Sequence, residues 1–224
     1  MTHHGFLVVL TFAFGLALAR EGPAGKDSAP PQRTSLPEPS RKGRISLEEA
    51  IAARRSLREY APDALTLEQI SQLLWAAQGI TSREGDRAAP SAGALFPLEI
   101  YVVLPDAVHH YEPVKHRLAR HLQGDLRGAL HDAALSQDCV RDAPALFVIA
   151  GVHARTASRY GKERARRYVA MEAGHAAENL LLEAVALGLG GVPVGAFDDA
   201  RVARVLALPE GTDPLYLVPV GRPR

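Results

Sequence analysis

A single cysteine, Cys139, is all the thiol that this chain of 224 residues carries. One cysteine closes no intrachain disulfide and builds no multi-cysteine metal centre. With no redox or nucleophile motif around it, it reads as a small buried hydrophobe. Net charge is nearly as scarce, since 26 Lys and Arg against 25 Asp and Glu leave +1. That balance removes any bulk electrostatic argument for nucleic acid. Gly-x-Ser-x-Gly and P-loop patterns are missing, so neither esterase nor NTPase chemistry is supported. The run "GLGG" ends at Gly191 and sits at a helix end, where it reads as a cap and not as a dinucleotide fingerprint. Glu172-x-x-His175 is half of a carboxylate-bridged di-iron pattern with no second copy, so it is read as a packed or capped histidine. His109, His110, His116 and His121 lack zinc-ligand spacing and are read as surface residues. No repeat at solenoid period is visible.

Long apolar runs are limited to one near the start, Phe6 to Ala19. It is short of the roughly 20 residues a membrane span needs. Ala17-Leu18-Ala19 supplies the small-x-small pattern that precedes signal cleavage, although no Lys or Arg stands ahead of the run. Residues 1–19 are therefore expected to be an export signal, giving an extracytoplasmic protein. Membrane association would follow only from an uncleaved N-terminus. Residues 20–43 are rich in Pro, Ser, Gly and charge, too poor in large apolar groups to offset ordering entropy, and are expected to form a flexible tether. The folded domain is expected over 44–224, where a composition of 47% hydrophobic and 23% charged residues is ordinary for a globular core.

Ser46 with Glu49, and Thr66 with Gln69, are capping-box pairs that open two helices. Leu67, Ile70, Leu73, Leu74 and Ala77 recur at helical spacing, and Gly79 follows as a stop. Residues 98–104, 144–152 and 213–223 read as strands, and 191–197 as a short turn or strand. Residues 114–134 are predicted helical with a break at Gly124. Residues 167–191 form a long helix apolar nearly all round, hence central. A further helix follows Asp198 or Asp199. The uneven order of elements favours an α+β fold over a doubly wound sheet.

Four stretches carry candidate chemistry. "RRSLREY" sets Arg54, Arg55, Ser56 and Arg58 at a helix end. Guanidiniums offer paired donors suited to phosphate, or they can simply offset the helix dipole; the residues alone leave both open. "PSAGAL" places Pro90, Ser91, Ala92, Gly93 and Leu95 in a loop with little bulk, able to lie against a planar ring or a phosphate, or to serve as a plain connection. Pro193, Val194 and Gly195 follow the central helix, and Arg222 stands beyond the last strand. "HARTASRYGKERARR" is strongly basic, a solvated helix face or a lid over a ligand.

In order along the chain, these pieces resemble the nitroreductase superfamily of flavin enzymes, and within it the SagB-type dehydrogenases, over about Ile45 to Arg222. The resemblance implies an FMN-binding fold with a central, mainly antiparallel sheet flanked by helices, paired as an intertwined homodimer. It assigns Arg54, Arg55, Ser56 and Arg58 to the FMN phosphate, ribityl chain and ring edge, and Arg222 to a second phosphate anchor. It assigns Pro90, Ser91, Ala92, Gly93 and Leu95 to a loop over the ring, and Pro193, Val194 and Gly195 to the ring's N5 side. The implied activity is hydride transfer by ping-pong turnover on a small molecule, with NAD(P)H as a candidate reductant and no protein residue required as acid or base. A non-redox flavin-binding module is the alternative. Peptide azoline oxidation is a weaker one, because Arg159 precedes Tyr160 where that branch carries Lys-Tyr, and Arg is a poor base.

Overall fold

Strand β5 (Ala145–Val152) is buried from its first residue to Gly151. A strand apolar on both faces needs a packing layer on each side, and β5 has them. Phe147 and Ile149 join a core with α2 (Leu67–Gln78) and α5 (His153–Ala186). Leu146, Val148 and Ala150 join a second core with α3 (Arg127–Ala133), α4 (Asp138–Asp142) and α6 (Asp199–Val205). The computed structural model describes residues 1–2 and 32–224. Residues 3–19 of the expected export signal, and residues 20–31 of the expected tether, lie outside the described residues. Among the described residues no helix is long and apolar enough to cross a membrane.

Seven strands form one sheet in the order β1-β4-β3-β2-β5-β7-β6. Besides β5 they are β1 (Arg33–Ser35), β2 (Leu98–Val103), β3 (Ala107–Glu112), β4 (Arg117–Gln123), β6 (Gly190–Gly191) and β7 (Thr212–Gly221). Every neighbouring pair is antiparallel. The fold is α+β, as the element pattern indicates. Helix α1 (Leu47–Ala53) and α2 begin at Ser46 and Thr66 with both halves of each capping box formed. Asp198, not Asp199, caps α6 by accepting from the Arg201 N–H. Helix α5 presents Ala173, Ala176, Ala177, Leu180, Leu181 and Ala184 to the core. Its small side chains let a long helix lie close to the sheet.

Three expectations are corrected. The tether does not run to residue 43. Arg33–Ser35 pairs with β4, Leu36 is buried, and the Ser40 N–H donates to Gln72 Oε1. His116 locks this strap in place, with Nε2 2.7 Å from Ser71 Oγ and 3.0 Å from the Pro37 carbonyl, and Nδ1 2.8 Å from Tyr111 Oη. Nor is 114–134 one broken helix. Strand β4 occupies its first half, paired with β3, and only α3 is helical. The helix-forming composition there yields to sheet pairing, because β2 needs a partner along its free edge and β3 with β4 extends the sheet. Consequently His109, His110 and His121 are half-buried sheet residues, and His116 a half-buried turn residue between β3 and β4, and none is a plain surface residue. Burial holds the imidazoles of His109 and His116 below their ordinary range.

The strap makes a stability prediction. Leu36 is 8% exposed in the core with α2. Leu36→Ala is expected to cost about 2 kcal/mol, read as a lowered midpoint in denaturant melts. An unchanged midpoint would show that residues 33–40 contribute nothing to the domain.

Candidate functional site

A backbone seam gathers most of the candidate residues. After α1 the chain runs extended beside the β6–β7 edge. The Leu57 N–H donates to the Gly191 carbonyl at 3.0 Å, and the Ala61 N–H to the Arg222 carbonyl at 2.9 Å. Tyr60 Oη donates to the carbonyls of Leu57 and Pro219. The approach is close enough to require glycine on the sheet side. A Cβ at Gly221 would stand 2.9 Å from the Tyr60 Cβ, and one at Gly190 2.9 Å from the Leu57 Cδ2. Ser56 pairs with Gly191 in a parallel bridge, and Val194 exchanges backbone hydrogen bonds with Leu217 of β7. Arg54, Arg55, Ser56, Arg58, Pro193, Val194, Gly195 and Arg222 thus belong to one sheet edge, although they span most of the chain.

Their side chains differ in freedom. Arg54 lies 3.5 Å from Glu178 of α5. Arg55 Nη1 donates to the carbonyls of Ala52 and Arg54, closing the end of α1, so the helix-capping role left open by the sequence is filled by this residue. Arg58, Ser56, Gly195 and Arg222 are exposed. Cys139 is buried nearby, and burial pushes its thiol up despite the opposing pull of Arg58.

The second group is the loop from Pro90 to Leu95. Among the described residues, no hydrogen bond joins it to the seam. A short 3-10 turn, Ala92–Ala94, forms the loop. Gly93 has a φ of 65°, and Ala94 and Phe96, at 53° and 45°, share that left-handed region without being glycine. Such backbone is held only by its surroundings. Ser91 Oγ accepts from the Phe96 N–H at 2.9 Å, and Arg155 of α5 donates to the Phe96 carbonyl at 3.0 Å. A Cβ at Gly93 would stand 2.9 Å from Tyr160 Oη and 3.1 Å from Arg159 Nη1, so the basic start of α5 covers this loop.

Beneath the loop lies a residue whose reading from sequence was inverted. In Glu172-x-x-His175 the histidine is exposed and the glutamate is 3% exposed. Burial pushes the Glu172 carboxyl up to about 7, against the pull of Ser91, Arg87 and Gln78, and its Oε1 has no hydrogen-bond partner. Arg87 donates to Gln78 Oε1 at 2.9 Å and lies 4.6 Å over the Phe96 ring. The sequence signal for Glu172 was there: a lone acid among Val169, Ala173 and Ala176 on an apolar helix face.

Against known proteins, residues 51–222 match the nitroreductase family. The chain belongs to the nitroreductase family. As a member it is an oxidoreductase, and relatives bear out the fold. An assigned nitroreductase of Methanocaldococcus jannaschii is 44% identical over 184 residues, 80% of this chain and 91% of that protein. A crystal structure of an assigned nitroreductase from Ralstonia eutropha superposes with a TM-score of 0.80 at 32% identity, over 89% of this chain and 96% of that one. The NADPH:FMN oxidoreductase of Vibrio harveyi superposes with a TM-score of 0.60 at 26% identity, covering 79% of this chain and 68% of that one.

The buried acid of this nitroreductase-family chain has a measurable consequence. Its folded pKa, about 7, exceeds the ordinary 4.5. The folded state therefore binds more protons than the unfolded chain between those values, and stability falls as pH rises through that window. Glu172→Gln is expected to remove this slope, gaining roughly 2–3 kcal/mol relative to wild type between about pH 4 and about pH 8. Denaturant melts across that range check it; parallel curves would mean the carboxyl is not held protonated.

Proposed function

We propose that this protein is an FMN-dependent oxidoreductase of the SagB-type branch, acting as a homodimer on a small organic substrate. The observation that carries the reading is the convergence of Arg58, Ser56 and Arg222 on one seam edge, exposed and beside Gly191. The donor set fits a phosphate-bearing flavin. Two guanidiniums and a hydroxyl suit a dianion, with Arg54 close by on Glu178 and Arg55 retaining its remaining donors. Pro193, Val194 and Gly195 would border the ring, with Val194 held rigid by its backbone bonds to Leu217. When bound, FMN would supply the hydride chemistry, taking a hydride from a nicotinamide reductant and passing it to the acceptor. The residues around it bind, orient and exclude water.

The absence, among the described residues, of any hydrogen bond joining the Pro90–Leu95 loop to the seam supports a site completed across two subunits. So do apolar side chains left open to solvent. Leu47 and Ile51, one turn apart on α1 and just ahead of Arg54, are 61% and 57% exposed, and Met171, next to Glu172, is 48% exposed. A second copy of this chain would cover them. The cation-rich start of α5, with Arg159, Lys162, Arg164, Arg166 and Arg167 exposed or half-exposed beside the loop, favours an anionic reductant such as NADPH. Arg159 stands before Tyr160 where the azoline-oxidising branch carries Lys-Tyr, and arginine is a poor base, which disfavours peptide azoline oxidation.

Purified protein is expected to be yellow and to release FMN on denaturation; a colourless protein indifferent to added FMN ends the proposal. Arg222→Ala is expected to weaken FMN binding about ten- to a hundredfold, measured by quenching of flavin fluorescence. Ile51→Glu is expected to shift the dimer to monomer in sedimentation and to lose the flavin with it. A monomer that keeps FMN would overturn the shared site.

A further inference from the structure

The loop proposed to cover the flavin is tied at both ends to one buried polar cluster. At its start, Ser91 Oγ accepts from the Phe96 N–H, which leaves the hydroxyl proton and one lone pair for Glu172. At its end, the Phe96 ring lies under the Arg87 guanidinium, and Arg87 is held by Gln78. Glu172 Oε1, Gln78 Nε2 and Arg87 Nε are all buried without a hydrogen-bond partner. An acceptor and two donors left unpaired in one cluster form an incomplete network, and such networks have more than one arrangement. The backbone they support is strained, with Ala94 and Phe96 at positive φ.

We propose that Glu172 is a positioning residue that sets the conformation of the Ser91–Phe96 loop from inside the fold and couples it to uptake and release of one proton. Ionised, the carboxylate accepts the Ser91 hydroxyl and draws Arg87 toward it. Protonated, it turns a donor toward Ser91 and releases Arg87. Each arrangement places the Phe96 ring and the Ser91 hydroxyl differently. The proton moves between the Glu172 carboxyl and water, and no covalent bond is made. The other charged groups acting on the cluster hold their state over the relevant range. Arg87 is lowered by its burial but stays a cation. Glu99 of β2, despite its own burial, is held low by hydrogen bonds from His110 and Arg155. Tyr111 of β3 is pushed up by burial and stays neutral. Glu172 is thus the group free to titrate near neutrality, where its carboxyl lies at about 7.

The role in turnover rests on the FMN reading, whereas the loop coupling does not, and the test separates them. Hydrogen exchange of residues 92–96, corrected for intrinsic rate, is followed against pH in wild type, Glu172→Gln and Ser91→Ala, each with FMN loaded and with FMN stripped. Wild type is expected to show protection of the Phe96 amide rising about three- to tenfold through an inflection near neutrality, in both forms. Both variants are expected to lose the inflection while keeping the wild-type circular dichroism. In the loaded protein, the pH dependence of the bound-flavin midpoint potential should show a break that Glu172→Gln removes. An inflection that persists in Glu172→Gln overturns the role of Glu172, and one that persists only in Ser91→Ala overturns the link through Ser91. If wild type binds no FMN but the stripped-form inflection behaves as described, the FMN reading fails and the coupling stands. If wild type binds FMN and shows no inflection, the coupling fails and the FMN reading stands.

Discussion

The backbone seam between residues 56–61 and the β6–β7 edge is the constraint on which the site depends. Two amide-to-carbonyl bonds, at Leu57 and Ala61, fix the direction of a segment otherwise without regular structure. Buried backbone groups must find partners, and here the partners lie more than a hundred residues away in sequence. Gly221 leaves room for the incoming chain at Tyr60, and Gly190 for the Leu57 side chain. Arginines at a helix end and an arginine beyond the last strand become one cationic edge through that contact alone.

Helix α5 does for the opposite group what the seam does for the first. Its basic opening turns pack over Gly93 through Arg159 and Tyr160, its middle carries Glu172 beneath Ser91, and Glu178 reaches Arg54. Side chains four or so residues apart on a helix share a face. The part of α5 after Gly161 thus carries both Glu172 beneath the loop and Glu178 beside Arg54. Gly161, at a φ of 78°, breaks the helical geometry within α5 and lets the basic segment take its own direction.

The electrostatics of the two groups are opposed. The seam edge is exposed and cationic, suited to holding an anion in contact with water. The cluster under the loop is buried and underpaired, with a carboxyl that burial pushes up to about 7. In the interior a charge is expensive unless it is paired, so a residue like Glu172 persists against a stability cost. That cost is consistent with a role at the site, because strain and underpaired polar groups collect where function needs them.

Sequence alone determined the parts whose causes are local. Capping boxes at Ser46 and Thr66, the apolar period of α2, the core strand β5 and the ordered set of arginine, glycine and proline motifs were legible, because each depends on neighbours within a few residues. Only the tertiary structure decided the rest. It turned 117–123 from helix to strand by supplying a sheet edge, and drew 33–40 out of an expected tether by giving Leu36 and Ser40 partners on the folded body. It buried Glu172 with the apolar face of α5 and left His175 exposed. Long-range pairing and burial are properties of what the chain folds against, and the linear order of residues does not contain that neighbour.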